Sequence, residues 1–93
     1  PNETYKKSFN LEYGSTSIEI QKNTQIRAND KIVIVDDLVA TGGTAIACAE
    51  LLSENFNVKN SNILILSIIN LEDLGGRKLI QEKGFLIETV VDY

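Results

Sequence analysis

Ninety-three residues make room for one small domain and no more, and an apolar share of 43% beside a charged share of 24% leaves no case for disorder. The net charge of −4, with lysines and arginines scattered, lacks the basic stripe that a nucleic-acid binder sets against phosphates, so no nucleic-acid partner is expected. With no histidine and a single cysteine, a Cys/His zinc site, a histidine-based triad and an internal disulfide are excluded within this chain.

Residues 1–10 are polar and aperiodic and predict a loop, with Lys6-Lys7 as a solvated basic doublet. Leu11-Glu12-Tyr13-Gly14-Ser15 predicts an extended stretch ending in a turn. From Ser17 to Lys22, Ile18 and Ile20 alternate with Glu19 and Gln21, the period of a half-buried strand. Ala28-Asn29-Asp30 marks a turn. Lys31 to Val35 holds four β-branched apolar residues in a row, which predicts a central parallel strand covered on both faces and stopped by Asp36-Asp37.

After Thr41-Gly42-Gly43-Thr44, residues Ala45 to Phe56 predict a helix. Its stripe of Ala45, Cys48, Ala49, Leu52 and Phe56 falls at spacings of three and four, and Asn55, Asn57 and Asn60 end it. Asn62 to Ile69 is a second buried strand, Gly75-Gly76 a break, Arg77 to Lys83 a short helix closed by Gly84, and Phe85 to Val91 a last strand. Strand, helix and strand at these lengths make a βαβ unit in a parallel sheet. No apolar run reaches the ~18 residues of a membrane span and no signal-like segment opens the chain, so a soluble, cytoplasmic setting is expected.

The chemistry concentrates in Asp36 to Thr44, a loop at the carboxyl end of a buried strand, where open α/β sheets bind ligands. Gly42 and Gly43 free the backbone to converge its N–H groups on one anion, and Thr41 and Thr44 add hydroxyls. The helix that follows directs the positive end of its dipole at the same spot, roughly half an elementary charge. Two carboxylates beside an anion would repel it, so Asp36 and Asp37 suit a different role. They can accept from vicinal sugar hydroxyls and help to hold a divalent cation. A phosphate cradle next to a diol clamp describes a ribose 5-phosphate. The Walker pattern fails because no lysine follows Gly43, and the dinucleotide pattern fails because the glycines are adjacent. The bland alternative is that Asp-Asp merely ends a strand and Thr-Gly-Gly-Thr merely caps a helix.

Val35-Asp36-Asp37-Leu38-Val39-Ala40-Thr41-Gly42-Gly43-Thr44 resembles the phosphoribosyl pyrophosphate motif of type I phosphoribosyltransferases, in the wording of their adenine-specific branch. Leu11-Glu12-Tyr13-Gly14 with Ile18-Glu19-Ile20-Gln21-Lys22 resembles the same branch upstream. Ile69-Asn70-Leu71-Glu72-Asp73-Leu74-Gly75-Gly76 resembles its bacterial members downstream. The resemblance implies an α/β type I phosphoribosyltransferase fold, a Rossmann-like parallel sheet flanked by helices, here a single domain portion over residues 1–93.

It further implies transfer of the 5-phosphoribosyl group of phosphoribosyl pyrophosphate to adenine, giving AMP and pyrophosphate in purine salvage. Mg2+ would enter mainly on the substrate's pyrophosphate, and the enzyme would be a homodimer. By the same resemblance Asp36 and Asp37 contact the ribose hydroxyls, while Ala40, Thr41, Gly42, Gly43 and Thr44 bind the 5′-phosphate. Glu12, as a catalytic residue, and Tyr13 end the mobile loop that closes the site, and Leu71 packs on the adenine. Cys48 is expected to be a buried thiol and Arg77 a helix-surface residue.

Family members carry an N-terminal half with base-recognition, pyrophosphate-binding and mobile-loop segments that this sequence lacks. The chain opens on Pro1 and contains no methionine, and is read as the C-terminal portion of a larger polypeptide, inactive alone. Two other functions stay open: transfer to another purine base, and a nucleotide-sensing regulator that keeps the fold without catalysis.

Overall fold

A computed structural model describes residues 3–11 and 14–93. Two strands, β1 (Thr4–Leu11) and β2 (Gly14–Gln21), pair antiparallel as a hairpin. Then follow β3 (Ile32–Val39), α1 (Gly43–Phe56), β4 (Ile63–Asn70), α2 (Gly76–Glu82) and β5 (Leu86–Asp92). The last three strands form a parallel sheet in the order β3-β4-β5, the arrangement that strand–helix–strand connections produce.

Residues Thr4–Asn10 are strand, which corrects the loop expected there. The reason lies far away in sequence. Tyr5, Lys7 and Phe9 share one phase of β1 and are half-buried. The Tyr5 ring meets Phe56 of α1 edge-on at 5.4 Å between centroids. The Lys7 ammonium reaches the Glu54 carboxylate at 2.9 Å and Glu50 at 3.7 Å, so Lys7 is docked on α1 rather than solvated. The hydrogen bond to Glu54 is the main reason its pKa lies above the ordinary 10.5. Glu12 and Tyr13, part of the extended stretch and turn expected over Leu11–Ser15, lie outside the described residues.

Two further corrections concern β3. It is an edge strand of the described sheet, and β4 is the central one. Ile32 and Ile34 are half-buried on the face that packs on the core, whereas Val33 and Val35 on the other face are 55% and 70% exposed. Ile68, Leu86 and Val90 extend this apolar exposure across β4 and β5. Nor do the aspartates stop the strand. Its pairing runs on through Asp36↔Ser67, Leu38↔Ile69 and Val39↔Asn70, because β4 offers partners as far as Asn70 and backbone pairing ignores side-chain charge.

The core gathers Val39, Ala49 and Leu52 with Ile63, Ile65, Ile80 and Phe85, so both helices and the inner sheet face share it. Each such side chain removed from water contributes ~1.5–3 kcal/mol. The helices start within two residues of the predicted positions. Helix α1 ends at Asn57, whose left-handed φ of 59° closes it as the asparagines there suggested.

Candidate functional site

A cleft of about 400 Å³ opens at the carboxyl end of β3, lined by Asp36, Leu38, the backbone run Val39 to Ala45, Asn10 from the hairpin and Leu74 from beyond β4. Its floor is the connection between β3 and α1. Gly42 sits at φ 90°, a left-handed conformation that other residues rarely take, and no side chain caps the helix after it. The first amide bonded back to that turn is Ile46, which donates to the Gly42 carbonyl at 2.9 Å. Among the described residues, no backbone bond in turns, loops or caps has the N–H of Thr41, Gly42, Gly43, Thr44 or Ala45 as donor. A helix start leaves such donors orphaned, and five in succession with the helix dipole behind them have the chemistry that suits an anion. Among the described residues no lysine or arginine lines the cleft. The donors are amides and hydroxyls.

Of the residues singled out from sequence, Asp36, Ala40, Thr41, Gly42, Gly43 and Thr44 are brought together around this cleft. Asp37 and Leu71 are not among its lining residues. Along β3 the side chains alternate, so Asp36 shares the phase of Ile32 and Ile34, and the exposed Asp37 that of Val33 and Val35. Neither carboxylate takes part in an ion pair among the described residues. Glu12 and Tyr13 fall outside the described residues. Sequence reasoning missed Asn10 and Leu74, which reach the cleft from two other connections and carry no local signal of it.

A second apolar cavity, about 340 Å³, adjoins the first and shares Asp36, Thr44 and Ala45 with it. Cys48 and Leu51 of α1 and Ile18 and Ile20 of β2 line it. Burial, with the nearby Asp36 charge as a lesser cause, pushes the Cys48 thiol above its ordinary 9.0, so the thiolate is disfavoured.

The connection between β4 and α2 stands beside the cleft. Leu71 is followed by a short 3-10 turn, Glu72–Leu74, and by Gly75 at φ 77°. Here side chains fix the backbone. Arg77 Nη2 donates to Asp92 Oδ1 and to Thr89 Oγ1, both at 2.6 Å. The nearly inaccessible Asn70 donates through Nδ2 to Glu72 Oε1 at 2.8 Å and to Asp92 Oδ1 at 3.1 Å. The donated hydrogen bonds of Thr89 and Asn70, with Arg77 adding to them, hold Asp92 below the ordinary carboxylate value. Arg77 is thus a half-buried residue of α2 held in an ion-pair network, beyond the helix-surface place expected for it.

The family model for the phosphoribosyl transferase domain matches residues 2–87. The adenine phosphoribosyltransferase of Francisella philomiragia is 44% identical over 93 residues, which are 100% of this chain and 50% of that protein. The solved adenine phosphoribosyltransferase of Giardia lamblia, complexed with 9-deazaadenine, matches at a TM-score of 0.87 with 34% identity over 100% of this chain and 51% of that one. That of Thermoanaerobacter pseudethanolicus matches at 0.82 with 35% identity and the same coverage. The chain thus spans about half the length of the relatives it matches. The fold is that of the type I phosphoribosyltransferases, over the part this chain covers. Parallel sheet, glycine turn and family match fall on the same residues: the chain belongs to the phosphoribosyl transferase domain family.

Proposed function

We propose that the complete protein is an adenine phosphoribosyltransferase of purine salvage, joining adenine to the 5-phosphoribosyl group of phosphoribosyl pyrophosphate and releasing pyrophosphate and AMP. The observation that carries this reading is the row of uncommitted amides from Thr41 to Ala45, set in a cleft with the Asp36 carboxylate on its rim. The 5′-phosphate lies on those amides and on the Thr41 and Thr44 hydroxyls. Asp36 accepts from the ribose hydroxyls, and Asp37 joins it from the strand end. Leu71 packs on the base, and Glu12 and Tyr13 belong to the segment that shuts the site against water. The relatives' names support adenine as the acceptor.

The reaction is displacement at the anomeric carbon: a ring nitrogen of adenine forms the new C–N bond as the C–O bond to pyrophosphate breaks. The protein's part is to hold sugar and base in line, an effect that supplies roughly 7–11 kcal/mol in well-oriented systems. Magnesium, when bound, supplies positive charge to the departing pyrophosphate. Among the described residues no group of three or more metal-ligating side chains occurs, and Asp36 is the one carboxylate among them that lines the cleft. That donor set suits an ion carried mainly by the substrate, with Asp36 and Asp37 as its contacts on this chain.

A chain of this length supplies the sugar-phosphate side of the site. We assign it to the C-terminal portion of the domain, with the N-terminal portion covering the exposed face of Val33, Val35, Ile68, Leu86 and Val90. A homodimer working in the cytoplasm rests on family resemblance. No described helix is long and apolar enough to cross a membrane. The test is an assay of the full-length protein with adenine, phosphoribosyl pyrophosphate and magnesium, read as AMP formed. Turnover with hypoxanthine or guanine instead would reassign the base. Ligand binding without any turnover would make the protein a nucleotide sensor.

A further inference from the structure

The two strand-to-helix connections touch, and the contact is made by glycine. The Gly76 N–H donates to the Ala40 carbonyl at 3.1 Å, and the Leu71 N–H donates to the Val39 carbonyl at 3.0 Å. A Cβ on Gly76 would stand 2.5 Å from the Ala40 oxygen, 2.7 Å from Val39 Cγ1 and 3.0 Å from the Gly42 nitrogen. From the other side, a Cβ on Gly42 would stand 3.2 Å from Gly76 Cα. Gly76 begins α2 and is not among the residues with positive φ, so space and not backbone conformation demands glycine there. Its neighbour Gly75 is the reverse case, left-handed at φ 77° with nothing within 4 Å of an added Cβ.

The bond from Gly76 has a directional consequence. A trans peptide points its C=O and its N–H to opposite sides. Pinning the Ala40 carbonyl toward Gly76 therefore sends the Thr41 N–H the other way, away from Gly76, and Thr41 is a residue of the cleft lining. Were that peptide to flip, a carbonyl oxygen would face the anion in place of a donor.

We propose that Gly76 is a positioning residue for the phosphate turn: its missing side chain and its N–H hold the Ala40–Thr41 peptide in the donor-outward orientation on which 5′-phosphate binding depends. The proposal rests on the reading of Thr41 to Ala45 as a phosphate cradle, and AMP and adenosine, which differ only by the phosphate, separate the two ideas.

In the full-length protein, Gly76→Ala weakens AMP binding at least about tenfold while adenosine binding changes less than about twofold. The KM for phosphoribosyl pyrophosphate rises by a similar factor of about ten, with kcat within about threefold. Gly75→Asn, which tolerates the left-handed conformation in open space, leaves both affinities at wild-type values. Because Gly76→Ala can disturb folding, the wild-type protein carries an independent test. The Gly76 amide, followed by hydrogen exchange at single-residue resolution, slows at least about tenfold when AMP binds and is unmoved by adenosine.

Undiminished AMP affinity in Gly76→Ala, equal losses for both ligands, or a Gly76 amide indifferent to AMP would each overturn the positioning role. A wild-type protein that binds adenosine as tightly as AMP sinks the cradle reading itself, before any variant is made.

Discussion

Two connections in this molecule share one plan and differ in what holds them. After β3 and again after β4 the chain passes through a Gly-Gly pair, uses a left-handed glycine as the residue before a helix, and turns back over the same core. The first, Ala40 to Thr44, leaves its amides without described backbone acceptors and has no side-chain cap. The second, Leu71 to Gly76, is tied by Arg77, Asn70, Glu72 and Asp92. A binding surface needs free donors, so the first turn cannot stabilise itself by using them internally. Rigidity comes instead from its neighbour, through Gly76 and Leu71. On the function proposed, one turn is kept open for a ligand, and the other supplies the support.

The largest effect expected lies on the open turn. Replacing both Asp36 and Asp37 by asparagine in the full-length protein keeps size and fold while removing the charge on which the proposed diol clamp depends. The kcat/KM should fall by at least about 10³, equivalent to ~4 kcal/mol of transition-state stabilisation. Of the single variants Asp36→Asn should be the more damaging, because Asp36 alone lines the cleft. Near-normal kinetics in the double variant, with the circular dichroism spectrum unchanged, would end the diol-clamp assignment.

Next in size is a direct contrast of the two left-handed glycines. An alanine at either position takes on a conformation costing ~1–2 kcal/mol. At Gly42 it also meets Gly76 Cα at 3.2 Å, Gly76 O at 3.3 Å and Ile46 Cδ1 at 3.4 Å, whereas at Gly75 it meets nothing. Gly42→Ala should therefore cost about 1 kcal/mol more than Gly75→Ala in urea unfolding, the lower end of what overpacking costs. Equal losses would mean that the two turns are not pressed together as described.

How much of this was legible in the sequence depended on how local each feature is. The apolar runs of β4 and the inner face of β3, the helix stripe of α1 and the Gly-Gly punctuation are written within a few residues, and they placed the parallel sheet and the glycine turn before α1. Hairpin strand β1 was not legible, because what orders it is Glu54 and Phe56, some 47 to 51 residues beyond Lys7 and Tyr5. Whether β3 is central or at an edge is likewise a property of its neighbours, and Ile32 to Val35 reads the same either way. The strand's continuation past Asp36 depends on the length of β4. Asn10 and Leu74 entered the cleft for the same reason, as contributions from separate connections.

A smaller effect belongs to the tied turn. Asp92→Asn removes the negative charge of the acceptor shared by Arg77, Thr89 and Asn70, and should lower the urea midpoint slightly at pH 7. The sign with pH follows from the lowered pKa of Asp92. A depressed carboxylate stabilises the fold fully above its unfolded value, near the ordinary 3.8, and loses that contribution as pH falls through the lower folded value. The difference between wild type and Asp92→Asn should thus be constant at neutral pH and shrink only below about pH 4. A difference that grew on acidification would contradict the network.

The mildest contrast is chemical and returns to the open turn. Cys48 lies on α1 beside the cavity that Asp36 shares with the cleft, and both burial and that carboxylate oppose its ionisation. Since the thiolate is the reactive form, alkylation of folded Cys48 by iodoacetamide at pH 8 should run well below the rate in urea. Asp36→Asn removes the charge and leaves the burial, so it should raise the folded rate by a factor of only about two or three, an effect sized for a secondary cause. Adding phosphoribosyl pyrophosphate should not accelerate the reaction, because the proposed site is on the turn and not in the apolar cavity. Folded Cys48 reacting as fast as the denatured thiol would show that the space between hairpin, β3 and α1 is open to water, and that the hairpin does not close the side of the turn on which Asp36 stands.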